Sequence, residues 1–220
     1  MSARPVLHVG NQNYSSWSLR PWLALTWGGI AFDLHVIPMG GPGYTQRRSP
    51  EILKVSPSGT VPVLEVEGEG IVDSLAICEW AAERAPLLWP RDSMARALAR
   101  SAAAEMHAGF AALRSTFTCN IRRRTEPRVV DDAVRADIVR LEALWKGLLQ
   151  RSGGPYLFGA QPTIADAFFT PVATRFRTYG IRIDPQAQTY SDVLLHNEAF
   201  RTWEAAAIVE PWTIDLWERT

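Results

Sequence analysis

Near Pro86 and Pro90 the hydrophobic period of the chain changes, and this limits the folds open to it. Before these prolines, strand and helix spacings interleave; after them, helical spacing is nearly all that is left. Pro5 to Val9 is a short apolar strand ending at Gly10. Leu19, Trp22, Leu23 and Ile30 mark a helical face, the last just past the Gly28-Gly29 stop. Phe32, Leu34 and Val36 alternate with Asp33 and His35, which is a strand period. An irregular stretch rich in Gly, Pro and Ser follows, with room for a short helix. Val61 to Val66 is another strand, and Glu67-Gly68-Glu69-Gly70 is a tight turn into Ile71-Val72. After Asp73-Ser74, residues Leu75, Cys78 and Trp80 begin a further helix. The order βαβ, then ββα, implies a parallel pair with a right-handed crossover and an added antiparallel hairpin.

Beyond the prolines, Asp92 or Ser93 caps a long Ala-rich helix carrying Met94, Leu98, Ala102, Met106, Gly109, Phe110 and Leu113 on one side. A second helix runs from about Asp131, with Ile138, Leu141, Leu144, Trp145, Leu148 and Leu149 as its apolar face, and Gly153-Gly154-Pro155 ends it. Thr163-Ile164-Ala165-Asp166 is a capping-box pattern opening a third. Val193 to Ala206 suggests a fourth. The expectation is a small α/β domain over residues 1–85, a linker over 86–92 and an all-α domain over 93–220.

Composition narrows the function classes. Lys+Arg and Asp+Glu both number 23, so the formal net charge is zero, which argues against nucleic-acid or membrane-surface binding through bulk charge. The basic run Arg122-Arg123-Arg124 is expected to be a solvated loop rather than a phosphate site. Cys78 and Cys119 are the only cysteines, so a secreted disulfide framework is not expected, and nothing has metal-ligand spacing. The start MSARPVLHVG lacks a basic region followed by an apolar run, so no signal peptide is expected. The most apolar stretch, Trp22 to Phe32, is far short of the roughly 20 residues needed to span a bilayer. A soluble, cytoplasmic protein without a metal is the expectation.

Three places in the first half carry candidate chemistry, and each has a plain structural reading beside it. Ser15, Ser16 and Ser18 lie where a strand ends and a helix starts. They suit helix capping, and the same free N–H groups and helix dipole favour an anion such as a thiolate or phosphate. No Ser-His-Asp context surrounds them, so a nucleophilic serine is not expected. Thr60-Val61-Pro62-Val63 places a proline at a strand start, which reads as an edge strand or as a cis bond beside a ligand. Asp73-Ser74 reads as a helix cap, or as a pair in which Ser74 and first-turn N–H groups take a carboxylate while Asp73 takes an ammonium.

Taken in order, "YSSWSLRPWLAL", "SPSGTVPVL", "VDSLAICEWAAER" and a helical half containing "TIADAFF" resemble the cytosolic glutathione S-transferase family over nearly the whole chain. The resemblance implies a thioredoxin-like N-terminal domain that holds glutathione as cosubstrate. It implies an all-α C-terminal domain that forms most of the second-substrate pocket. The S-S-x-S-x-R run is similar to the serine-type zeta class, which places the residue meeting the glutathione sulfur at Ser15, with Ser16 and Ser18 as substitutes if the loop shifts by a residue. Val61-Pro62 matches the family's cis-proline, and Asp73-Ser74 the pair that holds the γ-glutamyl end. The capping box Thr163 to Asp166 is matched as a folding element and left out of the site.

Two departures qualify the match. Thr60 stands where many relatives carry a basic or amide residue. The zeta class uses an arginine for acidic substrates at a position that register from Asp166 and Pro171 assigns to Thr178, with Arg175 and Arg177 nearby. The electrophile is expected between Trp17 and the helical half, with Met106, Phe110, Arg114 and Tyr179 as candidate walls. The resemblance also implies a homodimer. The leading function is a transferase joining the glutathione thiolate to electrophilic small molecules. Its rivals are a zeta-type isomerase or dehalogenase, and a non-catalytic binding or assembly module.

Overall fold

A computed structural model describes residues 4–40 and 49–219, so part of the Gly/Pro/Ser-rich stretch lies outside the described residues. β1 (Val6–Val9) runs parallel to β2 (Asp33–Val36), joined through α1 (Ser16–Trp27). β3 (Val63–Val66) pairs antiparallel with β1, and β4 (Glu69–Val72) antiparallel with β3, giving the order β2-β1-β3-β4. The β3–β4 turn places Glu67 and Gly68 at φ of 53° and 84°, the two-residue geometry whose twist suits a hairpin. A short helix, α2 (Pro50–Leu53), precedes β3, and α3 (Ser74–Arg84) follows β4. Alternation along β1 sends Leu7 and Val9 into the core with Leu64, Leu19, Leu23, Ile77 and Ala81. His8 faces the other way, toward His35 at 2.9 Å and Glu65 at 3.2 Å.

A 3-10 turn at Pro86–Leu88 leads into the helical half. It comprises α4 (Ser93–Ala108), α5 (Ala111–Thr116), α6 (Asp132–Ser152), α7 (Ile164–Thr178), α8 (Pro185–His196), α9 (Glu198–Val209) and α10 (Asp215–Glu218). Asp92 and Asp131 cap α4 and α6, and Gly153 closes α6 at φ 76°.

Two expected helices are each broken, and the breaks have tertiary causes. The helix expected from Met94 to Leu113 stops at Gly109, where a Cβ would lie 2.8 Å from the Glu105 carbonyl, and Phe110 turns left-handed at φ 57°. Arg114 then donates to the freed carbonyls of His107 (3.2 Å) and Gly109 (3.0 Å). The helix expected over Val193 to Ala206 is two helices separated at Asn197. That side chain caps α9 at the Ala199 N–H (3.1 Å), accepts from Trp27 Nε1 (3.0 Å) and donates to the Tyr156 hydroxyl (2.9 Å). The helix α10 had no counterpart in the periodicity.

Every residue of α7 except Arg177 is buried, as expected of a helix enclosed on all sides by α1, α4 and α8. The capping box at its start is formed: Asp166 accepts from the Thr163 N–H (2.8 Å) and hydroxyl (2.9 Å), from the Leu157 N–H (3.0 Å) and from the Tyr190 hydroxyl (2.9 Å). Among the described residues, no helix is long and apolar enough to cross a membrane.

Candidate active site

The chain between β1 and α1 is held by groups from the far end of the sequence. The Glu210 carboxylate accepts from the backbone N–H of Gln12 (2.6 Å) and Asn13 (3.0 Å), and Trp203 Nε1 donates to the Gln12 carbonyl (2.9 Å). The Asn13 side chain bonds Asn120 (2.9 Å) and the Arg122 N–H (2.9 Å), while Asn11 takes both backbone groups of Met39. Backbone donors and acceptors that a loop would leave to water are thus satisfied within the protein. The loop hands over to α1 at a fixed place.

At that place Ser15 is the N-cap: its Oγ accepts the Ser18 N–H at 3.3 Å and donates to Ser18 Oγ at 2.8 Å. Ser18 Oγ also accepts the Gly10 N–H at 3.2 Å. Ser16 Oγ accepts from Arg175 Nη2 at 3.4 Å, which leaves its own proton available. Ser18 is fully buried, whereas Ser15 and Ser16 both line a cleft of about 810 Å³ between the sheet half and the helical half. That volume lies in the range of small-molecule sites, roughly 300–1,000 Å³.

Val61 and Thr60 line the same cleft as the serines, and the Val61–Pro62 bond is cis. Pro62, Asp73 and Ser74 lie outside this cleft's lining. Asp73 caps α3 at φ 81°, and Oδ1 accepts from the N–H groups of Leu75 (2.7 Å) and Ala76 (3.4 Å). The Ser74 hydroxyl is buried and, among the described residues, has no hydrogen-bond partner. A buried hydroxyl in that condition is costly unless something completes it.

The helical half contributes positive charge. Arg114 and Arg175 both line the cleft, and no Asp or Glu does so among the described residues. Arg175 is anchored by Nε to the Phe117 carbonyl (2.8 Å) and Nη1 to the Pro171 carbonyl (2.9 Å). Burial lowers the pKa of both guanidiniums, and Arg175 lowers that of Arg114 further. A third, Arg20, is buried against Trp17 (4.3 Å) and Phe168 (4.6 Å). Its Nε and Nη1 have no hydrogen-bond partner among the described residues, and burial, then Arg114 and Arg175, push its pKa down to about 9. Arg114 lies on the Trp17 ring too, at 4.7 Å. Sequence reasoning passed over Arg20, although three-residue spacing from Trp17 puts both on one face of α1.

Other expected walls are placed differently. Met106, Phe110 and Tyr179 are buried in the core and do not line the cleft. Thr178 donates to the Asn120 carbonyl at 2.8 Å, and Arg177 pairs with Glu204; neither lines the cleft. Arg122 is not a solvated residue. It donates to the Glu210 carbonyl (2.8 Å), the Tyr14 hydroxyl (3.0 Å) and the Trp212 carbonyl (3.3 Å). These bonds lay the C-terminal segment over the cleft, where Leu216 and Trp217 form part of its wall. Tyr14, also in the lining, donates to Glu218 and meets the Trp217 ring at 5.7 Å. The segment passes so near Gly40 that a Cβ there would lie 2.1 Å from the Thr213 carbonyl.

Comparison with known proteins agrees with this architecture. Residues 14–84 match the model of the glutathione S-transferase N-terminal domain, and residues 94–205 match that of the C-terminal domain. The chain is 27% identical over 215 residues to a maleylacetoacetate isomerase of Rattus norvegicus, covering 96% of this chain and 94% of the relative. It is 30% identical to a zeta-class glutathione S-transferase of Euphorbia esula, covering 76% and 75% of the two chains. A crystal structure of a Burkholderia glutathione transferase homolog with bound glutathione superposes with a TM-score of 0.71 at 19% identity, over 93% of this chain and 98% of that one.

Proposed function

The chain belongs to the glutathione S-transferase family, and on that premise we propose that its cleft binds glutathione and delivers the thiolate to electrophilic small molecules. In this reading Ser15 stabilises the sulfur, Val61 and Pro62 hold the cysteinyl part, and Asp73 and Ser74 hold the γ-glutamyl end. The observation that supports it most is the convergence on one cleft of a hydroxyl-bearing helix start, Ser15 and Ser16, with Thr60 and Val61. The partnerless Ser74 hydroxyl adds to it, because a carboxylate at the start of α3 would complete that group. A free thiol with a pKa near 8.5 is only a few per cent ionised at pH 7, so the protein's task is to hold the anion. Glutathione brings the nucleophile itself.

A second reading has its own support. Arg114 and Arg175 face a cleft that no acidic side chain lines among the described residues, and several relatives are named maleylacetoacetate isomerases. On an acidic alkene the thiolate adds to one carbon, the new carbon–carbon single bond rotates, and loss of the thiolate restores the double bond. Glutathione is then returned unchanged, whereas a transferase consumes one molecule per turnover. Measuring free thiol against product with a neutral electrophile and with an unsaturated dicarboxylate separates the two. Retention on immobilised glutathione without turnover of either would favour a binding module.

Arg114→Ala should raise KM for a carboxylate-bearing electrophile by about 10-fold or more, the worth of one hydrogen bond to a charged group. KM for a neutral electrophile should change much less. Equal losses on both would count against an anion-holding role. The family premise further implies a homodimer, so sedimentation should give about twice the chain mass of 24.5 kDa.

A further inference from the structure

His107, near the end of α4, stands outside every role assigned so far. Its Nε2 lies 3.3 Å from Asp73 Oδ2, the carboxylate oxygen that the α3 cap does not use. The ring meets Trp17 edge-on with centroids 5.1 Å apart, and Phe168 lies behind it at 6.1 Å. Nδ1 is buried and, like the neighbouring Ser74 hydroxyl, has no partner among the described residues. The charged groups facing the imidazole are Asp73 at the start of α3, Arg20 on α1 and Arg114 on α5.

We propose that His107 is a positioning residue for the γ-glutamyl end of glutathione. Neutral, it donates one hydrogen bond and leaves Asp73 its charge; protonated, it takes the carboxylate that the glutathione ammonium needs. The inference rests on the reading that Asp73 and Ser74 form that subsite. Two cations cannot both have the full use of one half-exposed carboxylate, so proton and glutathione compete. By linkage the competition is reciprocal: acid weakens glutathione binding, and bound glutathione makes His107 harder to protonate.

The surroundings set where this happens. Burial lowers the imidazole pKa, with Arg20 and Arg114 adding to the effect and Asp73 opposing it. His107 is therefore neutral at pH 7, and the competition appears only as pH falls below the ordinary histidine value of about 6.5.

The test uses S-methylglutathione, which keeps the γ-glutamyl end and has no thiol to titrate. Its Kd should rise by about 5-fold or more from about pH 7.5 to about pH 5 in the wild-type protein. In His107→Gln, whose amide still donates to Asp73 but carries no charge, the same change should stay within about 2-fold. Equal pH profiles in the two proteins, or a flat wild-type profile, would overturn the proposal. A wild-type measurement guards against a variant that fails to fold. The His107 C2–H resonance, titrated with and without S-methylglutathione, should show a pKa lower by about 0.7 in the complex, the counterpart of 5-fold. An unmoved titration overturns the proposal as well. If the wild-type protein binds no S-methylglutathione at any pH, the glutathione reading itself is lost and this inference with it. Binding with an unmoved His107 removes this inference alone.

Discussion

Ser15→Ala should cut turnover at neutral pH by about 10- to 100-fold, because one hydrogen bond to a thiolate is worth roughly 1.5–3 kcal/mol, or 1–2 pKa units. Affinity for glutathione should change much less, since the proposed site holds the rest of the tripeptide through Val61, Pro62, Asp73 and Ser74. In the structure the Ser15 proton points to Ser18 Oγ, which also accepts the Gly10 N–H. Turning both hydroxyls reverses this chain: Gly10 N–H to Ser18, Ser18 O–H to Ser15, and Ser15 O–H to the sulfur. The neutral Ser15–Ser18 bond is kept with its direction reversed while a charged bond to the sulfur is added, and each link polarises the next. Ser18→Ala should accordingly show a smaller loss than Ser15→Ala.

The same side chain also caps α1, so its removal carries a stability cost of about 1 kcal/mol. Thermal melting separates that cost from the loss of turnover, and the thiolate absorbance of the glutathione complex reads the sulfur directly. Full activity in Ser15→Ala would end its assignment as thiolate donor. Ser16 would be next in line, with its free proton and with Arg175 donating to its oxygen.

The largest stability effect is expected at Asp166, far from the cleft's chemistry. Asp166→Ala strands the Thr163 and Leu157 N–H groups and the Tyr190 hydroxyl, all deep in the protein. Each stranded buried donor costs about 1–3 kcal/mol, so a total of about 3–5 kcal/mol is expected after relaxation. For a chain this long the melting temperature should fall by about 10 °C. Asp166→Asn should recover part of this, because an amide oxygen still serves Leu157 and Tyr190 while its NH2 faces the Thr163 donors. A melting temperature within about 2 °C of wild type for Asp166→Ala would mean that the network contributes little.

What could be read in advance was local. Asp92, Asp131 and the Thr163–Asp166 box cap helices within three residues of themselves, and Glu67-Gly68 makes its turn alone. The breaks at Gly109 and Asn197 could not be read that way. They are completed by Arg114 and by Trp27 and Tyr156, distant in the chain or on another element. The same holds for Arg122, an apparent solvent charge whose acceptors lie 88 residues later at Glu210 and 108 residues earlier at Tyr14. At the cleft, short motifs pointed to Ser15 and Val61, which both line it, and to Pro62, Asp73 and Ser74, which do not. Counting residues along α7 led to Thr178, whereas Arg175, one turn earlier, is the side chain that arrives. Arg20 and His107 escaped because their significance lies in what other elements bring up to them.

The anchoring of Gln12 and Asn13 by Glu210, Trp203 and Asn120 bears on how such proteins can be recombined. By sequence order alone the sheet half is a cassette open to grafting onto any helical companion. Yet the loop that presents the serines takes its shape from residues nearly 200 positions downstream. A chimera that inherits the first half from this chain and the second from a cousin keeps Ser15, Ser16 and Ser18 and loses the frame that holds their loop. Lineages built this way must exchange both halves together, or repair the seam before activity returns.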